Sequence, residues 1–446
     1  MIDRKALLEE SPWRLMRKLS LPGILGMMVL SLNSLIDSIY LGTLVSAEAF
    51  AGAAALFPIS LVISSVTGFI AAGSSSVLSR AIGSENEQIQ RKILPNLIAL
   101  SLVSGVVLTI AGVLFPEPIV SVMGLEGNVE DQAVLYFRAY ATGTFFSIYG
   151  LSANGLIRAE GKMQQAMTFT VVAVVSNIIF TPIFISWLNL GVSGAAYSSV
   201  ASMGIYSLLT SLYYIRGKAS FETGGFAIRF EMEILRDVAS VGLSSFSMQM
   251  AGVFRQFIVF RTVTWYGTMQ DLVIFSAIFR LFSFVSIPAM GLLQPLQPVV
   301  GVNYGAKVWD RCKKNLYFFR KRGVLLSVLL AVPVAIFPSF FLELMIPDQS
   351  LTYDDLLYTR LVLLALPFLP LSTTAIIYLQ ATGQGKRAAS LPLLRQAVIF
   401  LPLILLFPFW LGASGVYAAL VMDNLIYGTL LSILIQREMT KLPSVT

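Results

Sequence analysis

Apolar runs long enough to cross a bilayer recur from one end of this chain to the other, and no other feature restricts its fold as much. LLSVLLAVPVAIFPSFFLELMI (325–346) and RQAVIFLPLILLFPFWLGASGVYAALVM (395–422) each exceed the ~20 residues that a spanning helix needs. With 56% hydrophobic and 12% charged residues, the chain carries about half the charge of a soluble domain, so most of its surface must face lipid or other helices. Alternating ten-residue segments are missing, which argues against a β-barrel. The first apolar stretch runs through Pro22, Asn33 and Asp37 without a compact apolar region and a small-residue cleavage site, so it reads as a retained helix.

Hydropathy divides the chain into twelve spans near residues 19–43, 50–79, 93–115, 133–157, 165–187, 191–215, 237–264, 272–300, 323–345, 356–381, 390–411 and 413–435. The basic residues then sort cleanly. The amino terminus (Arg4 to Lys18), the even-numbered loops and the tail hold 25 of the 31 Lys and Arg, with the densest group at Lys307–Arg322. Odd-numbered loops hold only acids, such as Glu48, Glu126, Glu130, Asp131, Asp271, Asp348 and Asp354. By the positive-inside rule this predicts a multi-pass protein of the cell inner (cytoplasmic) membrane with both termini cytoplasmic. The net charge of +7 is accounted for by these loops, so no nucleic-acid partner is expected.

Several chemistries are excluded by what is missing. There is no histidine, and the one cysteine, Cys312, sits in a basic loop. A Ser-His-Asp triad, histidine-held zinc or haem and a thiolate metal cluster are therefore unavailable, and no phosphate-loop motif occurs. Neither an enzyme nor a bound cofactor or metal is expected.

The chain also repeats itself. Tyr136-x-Arg138 recurs as Tyr358-x-Arg360, Gly83 matches Gly305, Lys92 matches Lys314 and Gly161 matches Gly383, all 222 residues apart. GVSGAAYSSV (191–200) similarly matches GASGVYAALV (412–421). These matches imply a duplicated six-helix unit: residues 1–215 form one lobe, 216–236 a cytoplasmic linker and 237–446 the second lobe. Six is an even number, so both halves cross the membrane in the same sense and a cleft between them suits alternating access.

At SLNSLIDSIYLGTLVSAEAFAGAAALFPIS (31–60), GLLQPLQPVVGVNYGAK (291–307) and TGQGKRAASLPLLRQAVIFLP (382–402), the sequence resembles the multidrug and toxic compound extrusion (MATE) family, in its bacterial multidrug branch. The resemblance covers nearly the whole chain in order. It implies an all-α protein of twelve transmembrane helices, two six-helix bundles in a V, that exports organic compounds in exchange for H⁺ or Na⁺. It places Asp37 where the family's helix 1 aspartate lies and Pro22 where that helix bends. Asn177 falls on the asparagine of the family's Asn-x-x-x-Asp-Pro pattern and Ser199 on a common helix 6 threonine. This chain reads Asn177-Ile-Ile-Phe-Thr181-Pro182, with Thr181 in place of the second acid. The glutamate that another branch carries in helix 7, around Gly252, is also missing.

A carboxylate within a span costs several kcal/mol unless it is protonated, paired or hydrated, so Asp37 is the leading proton-coupling candidate. Asn33 shares its face one turn earlier. A structural acid near the outer interface is the plainer alternative. Replacing an acid by Thr181 keeps an oxygen but removes a charge, which favours H⁺ over Na⁺; the coupling cluster expected is Asp37, Asn33, Asn177, Thr181 and Ser199. In the second lobe Arg255 is too deep for easy snorkelling, and Asp423 is its expected partner. Whether Arg255 is only structural or lines the cleft and attracts an anionic group stays open at this point. Arg395 is expected to snorkel or cap near the cytoplasmic end. Arg255, Gln294, Asn303, Met290 and Tyr378 are the cleft candidates, and Met248, Met250, Phe254 and Phe257 add a soft surface that ordinary packing explains equally well.

The expectation is therefore a monomeric secondary exporter, a multidrug antiporter acting on small organic substrates among membrane lipids. The alternative is a flippase of the same superfamily for lipids or anionic metabolites.

Overall fold

The computed structural model describes residues 4–346 and 350–443. Asp348, one of the expected outer-loop acids, lies outside them. The described residues form helices joined by short turns, with no strand among them. A bilayer offers no water to an unpaired backbone group, so a chain this apolar closes its hydrogen bonds within each span.

Twelve spans result. Span 1 is Pro12–Leu44, span 3 Glu87–Leu114, span 6 Gly191–Ile215, span 7 Met232–Tyr266 and span 12 Ala413–Lys441. The others are interrupted. Span 2 runs as Ala47–Ala55 and Phe57–Gly83, span 4 as Asn128–Ala141 and Thr144–Ala159, span 8 as Met269–Leu293 and Leu296–Gly305, and span 10 as Tyr353–Leu364 and Phe368–Ala381. Span 9, Trp309–Ile336, turns by 81° into Pro338–Met345. Spans 5 and 11 each widen into a π-helical stretch after a proline: Met163–Pro182 continues as Ile183–Trp187, and Gly385–Leu394 continues as Arg395–Phe400 before Leu401–Leu411. Proline removes one amide donor and pushes away the carbonyl of the preceding turn, which is a local cause of such widening.

The loop charges have structural work as well. Thr268 and Asp271 form a reciprocal cap at the start of span 8, and Thr352 and Asp355 do the same for span 10. Even-numbered spans begin at the acidic end of the molecule, so these carboxylates also meet the positive end of the helix dipole. Several spans extend past the hydropathy limits. Span 9 begins at Trp309, not near 323, so Lys313–Arg322 lies on helix, and span 7 begins at Met232, inside the expected 216–236 linker. Hydropathy marks the stretch that lipid can accept, whereas a helix continues until a cap or a glycine ends it.

The twelve spans make two bundles, 1–6 and 7–12, which meet chiefly where span 2 packs on spans 7 and 8 and span 1 on span 8. Glycines set this seam. A β-carbon on Gly83 would lie 2.1 Å from the Val302 carbonyl oxygen, one on Gly73 2.3 Å from that of Val238, and one on Gly305 2.2 Å from that of Arg80. Backbones therefore touch directly in the basic half of the molecule. Ser20 Oγ donates to the Leu292 carbonyl at 2.8 Å, Gln297 Nε2 to that of Ala72 at 3.2 Å, and Ser76 Oγ to that of Gln380.

A short amino-terminal helix, Arg4–Glu9, straps this end. Arg4 donates to the Ile82 and Gly83 carbonyls (3.0 and 2.9 Å) and pairs with Glu85, while Leu7 is fully buried and its carbonyl accepts from Asn303 at 3.1 Å. Toward the acidic end lie two open cavities, one lined by the first bundle and one by the second bundle together with Leu61 of span 2.

Candidate functional site

Asp37 lies in the acidic half of span 1, on a cavity of about 430 Å³ bordered by Ser34, Ser60, Ser64, Tyr136, Tyr140 and Ser199. Asn33 Nδ2 donates to Asp37 Oδ2 at 3.0 Å. The Asn177 amide, turned so that donors face acceptors, donates to Asp37 Oδ1 at 2.8 Å and accepts from Ser199 Oγ at 3.3 Å. Thr181 Oγ1 bonds the Asn177 carbonyl and Ser198 Oγ, both at 2.8 Å. All five residues expected in the coupling cluster thus fall in one network built by spans 1, 5 and 6, but Thr181 supports the backbone and does not reach Asp37. The fully buried Ser198 belongs to the network and was not foreseen, because a serine in an apolar span has no periodic or charge signal.

The π-helical stretch begins at Ile183, six residues beyond Asn177 and two beyond Thr181. Among the described residues no group of three or more acids or thiols could hold a metal ion. The network therefore offers one carboxylate, whose charge is balanced by neutral donors alone.

The second bundle holds the opposite balance. Asp423, fully buried on span 12, meets Arg255 Nη2 at 2.7 Å and Arg395 Nη2 at 2.7 Å, with Arg395 Nε at 3.1 Å completing a two-pronged contact. Arg395 also donates to Asn424 Oδ1 at 3.0 Å. Each guanidinium lies over a ring, Arg255 over Phe400 at 5.2 Å and Arg395 over Tyr427 at 4.5 Å. The expected Arg255–Asp423 pair is present. Arg395, expected to snorkel or cap, instead points inward to the same acid: it opens the π-helical stretch after Pro392, which turns its side chain into the bundle. Arg255, Arg395 and Asn424 line a cavity of about 400 Å³ with Phe260, Phe279 and Phe282.

The other cleft candidates separate. Gln294 and Gln297 border a smaller cavity of about 250 Å³ between the bundles, together with Arg158, which was not foreseen. Pro22 lies inside span 1 next to Gly23, where a β-carbon would come within 2.7 Å of the Gly291 carbonyl oxygen, so it belongs to the seam. Asn303 does not line a cleft: fully buried, it bonds the Leu7 and Val299 carbonyls and accepts from Arg311. Tyr378 is likewise core, packed with Leu293, Phe319 and Leu379. Met290 meets Thr373 through its sulfur at 4.0 Å and borders none of the three cavities. Met248, Phe254 and Phe257 are exposed on span 7 and line none of the three cavities.

Near the basic end, Glu160 is buried and held by Tyr213, the Ser220 amide and Lys162. Burial raises its carboxyl above the ordinary value, while these donors work against the shift.

The MatE family model matches twice, over residues 22–183 and 245–406, two copies of equal length in the same order. Their displacement agrees within a residue with the repeat read from Tyr136 and Tyr358. The chain is 25% identical to a "FAD transporter" of Shewanella oneidensis, over 98% of this chain and 97% of that protein. It is 22% identical to "Multidrug export protein MepA" of Staphylococcus haemolyticus, over 93% and 91%. Among solved structures, the fold superposes on one described as the outward-facing conformation of a multidrug resistance MATE family transporter of the MOP superfamily, at a TM-score of 0.92 and 23% identity over 100% and 99% of the chains. A Pyrococcus furiosus MOP superfamily transporter, whose description reports reversed polarity of its binding pocket, matches at 0.91 and 23% identity over the same shares. With its two model matches and these full-length relatives, the chain belongs to the MatE family of multi-pass membrane transporters and is not an enzyme.

Proposed function

We propose that this chain exports small organic compounds across the cell inner membrane by alternating access, in exchange for H⁺. The observation that carries this reading is the Asp37 network, one carboxylate set in a cavity and held by Asn33 and Asn177 without a cation to neutralise it. Such a group gains stability by taking a proton, and its change of charge alters what the cavity can hold. Na⁺ is disfavoured because the site has a single carboxylate and Thr181 directs its oxygen to Ser198. No bound cofactor is required, and one chain holds both cavities, so a monomer suffices.

With the basic loops and both termini placed in the cytoplasm, the seam closes the inner side and both cavities lie toward the outer side. Asp37 would then take its proton from outside and release it after the bundles rock. The relatives described as multidrug exporters support polyspecific organic substrates. A second reading, export of an anionic metabolite, is favoured by the two arginines of the second cavity and by the relative described as a FAD transporter.

Everted membrane vesicles carrying the protein test the coupling directly. Substrate uptake should follow an imposed ΔpH and ignore an imposed ΔpNa, and Asp37→Asn should abolish the ΔpH response. Full H⁺-dependent uptake by Asp37→Asn would overturn the assignment, and uptake with neither gradient would replace antiport by facilitation.

A further inference from the structure

We infer that the second-bundle cavity is a subsite for the anionic group of a flat aromatic substrate, held by Arg255 and Arg395. The inference rests on the reading of this chain as an organic-compound exporter and adds the chemical class.

Two guanidiniums share one acid. Asp423 is fully buried behind them, whereas both arginines border the cavity, and none of the cavity's lining residues is acidic. A compound entering from the acidic end therefore meets one uncompensated positive charge in surroundings of low dielectric, where an unpaired charge is costly and a matching anion is strongly favoured. Donors remain for it. A guanidinium carries five N–H groups. Arg395 spends Nε and Nη2 on Asp423 and Asn424, and Arg255 spends Nη2 on Asp423; Nη1 of neither makes a protein hydrogen bond among the described residues. The π-helical stretch places Arg395 here, opposite Arg255 on span 7, so the pair converges from two helices onto one acid, as a clamp for a carboxylate or phosphate does.

The rest of the wall selects the remainder of the ligand. Phe260, Phe279 and Phe282 offer ring faces and edges, Val259 and Leu420 apolar contact, and Gln249 and Gln256 two polar ends. A cavity of about 400 Å³ holds a two- or three-ring compound of the size typical for such sites. A purely structural account explains one arginine for Asp423 but leaves the second, with its unspent donors, facing open space.

The test uses purified full-length protein in phosphatidylcholine discs and reads binding of anthracene-2-carboxylate, a flat fluorescent three-ring anion, by fluorescence anisotropy, with cationic ethidium as the control. No gradient is applied, so failure of H⁺ coupling and failure of this site are separate results. Affinity for the anion should follow the net charge of the triad. Arg255→Gln and Arg395→Gln weaken it about tenfold, Asp423→Asn tightens it several-fold, and the double variant Arg255→Gln with Asp423→Asn returns it to within about threefold of the original. The double variant removes both partners of one pair, so it keeps the test open if a single variant fails to fold. Ethidium binding should stay within about twofold throughout. The inference is overturned if both arginine variants bind the anion as well as the parent, or if Asp423→Asn weakens binding as a structural role requires. Displacement of anthracene-2-carboxylate in discs containing phosphatidylglycerol would assign the site to a lipid headgroup and overturn the substrate class.

Discussion

The two bundles share a frame and differ in the sign of the charge they set on their cavities toward the acidic end. Displacing the first by 222 residues puts Asn33 on Arg255 and Asp37 on Val259, so the same helix face that carries an acid with its amide partner in span 1 carries a cation in span 7. In the first bundle a single carboxylate is held by neutral amides; in the second a single carboxylate is outnumbered by two guanidiniums. Neutral donors leave the charge of one carboxylate uncompensated, whereas two guanidiniums outweigh the charge of the other and turn the surplus toward the cavity. Duplication therefore kept the frame and separated the charges, with a lone carboxylate on one cavity and two guanidiniums on the other.

Three experiments would break or sharpen that contrast. The largest effect is expected from Asp37→Asn, which should reduce ΔpH-driven transport by about 100-fold in everted vesicles, while Val259→Asp, an acid at the equivalent place, should not restore it. Restoration would mean that the bundles are interchangeable. A smaller effect, on stability, should come from Asp423→Asn. Leaving two buried guanidiniums unpaired costs about 3–5 kcal/mol, against about 1–2 kcal/mol for Asn177→Ala in the first bundle, both read from thermal unfolding in detergent. Equal losses would deny the electrostatic difference. The smallest change, a few-fold loss of turnover, should follow Gly83→Ala, whose new methyl group would press on the Val302 carbonyl and hold the basic end ajar. Labelling of an introduced cysteine on that face should rise. Cys312, the sole native cysteine, is fully buried and adds little background.

Much of this was legible in the sequence, because the membrane imposes simple rules. Twelve spans follow from apolar length, the duplication from the repeated Tyr-x-Arg, and Asp37 from the cost of a carboxylate in lipid, while its partners Asn177, Thr181 and Ser199 follow from the resemblance to the MATE family. What escaped depended on local geometry. Arg395 reads as a residue near a helix end, and only the widened turn after Pro392 reveals that it points inward to Asp423. Asn303 and Tyr378 carry the same polar and aromatic signals as residues that line a cleft, yet one anchors the amino-terminal helix and the other fills a core. Span 9 begins fourteen residues before its apolar run, since a helix tolerates the lysines of Lys313–Arg322 that lipid does not.

The glycine seam has a consequence for how the transporter responds to its surroundings. Among the described residues no ion pair joins a side chain of spans 1–6 to one of spans 7–12; the contact between Lys92 and Glu231 ends on the connecting segment. What closes the basic end is mainly close backbone contact with a few hydroxyl and amide bonds, which dissolved ions do not screen, joined by the attraction between Arg80 of span 2 and Asp237 of span 7, which they do. Closure of the basic end should then shift only by the share that Arg80 and Asp237 contribute when dilute buffer is exchanged for concentrated salt, whereas the arginine-lined cavity should feel the salt directly.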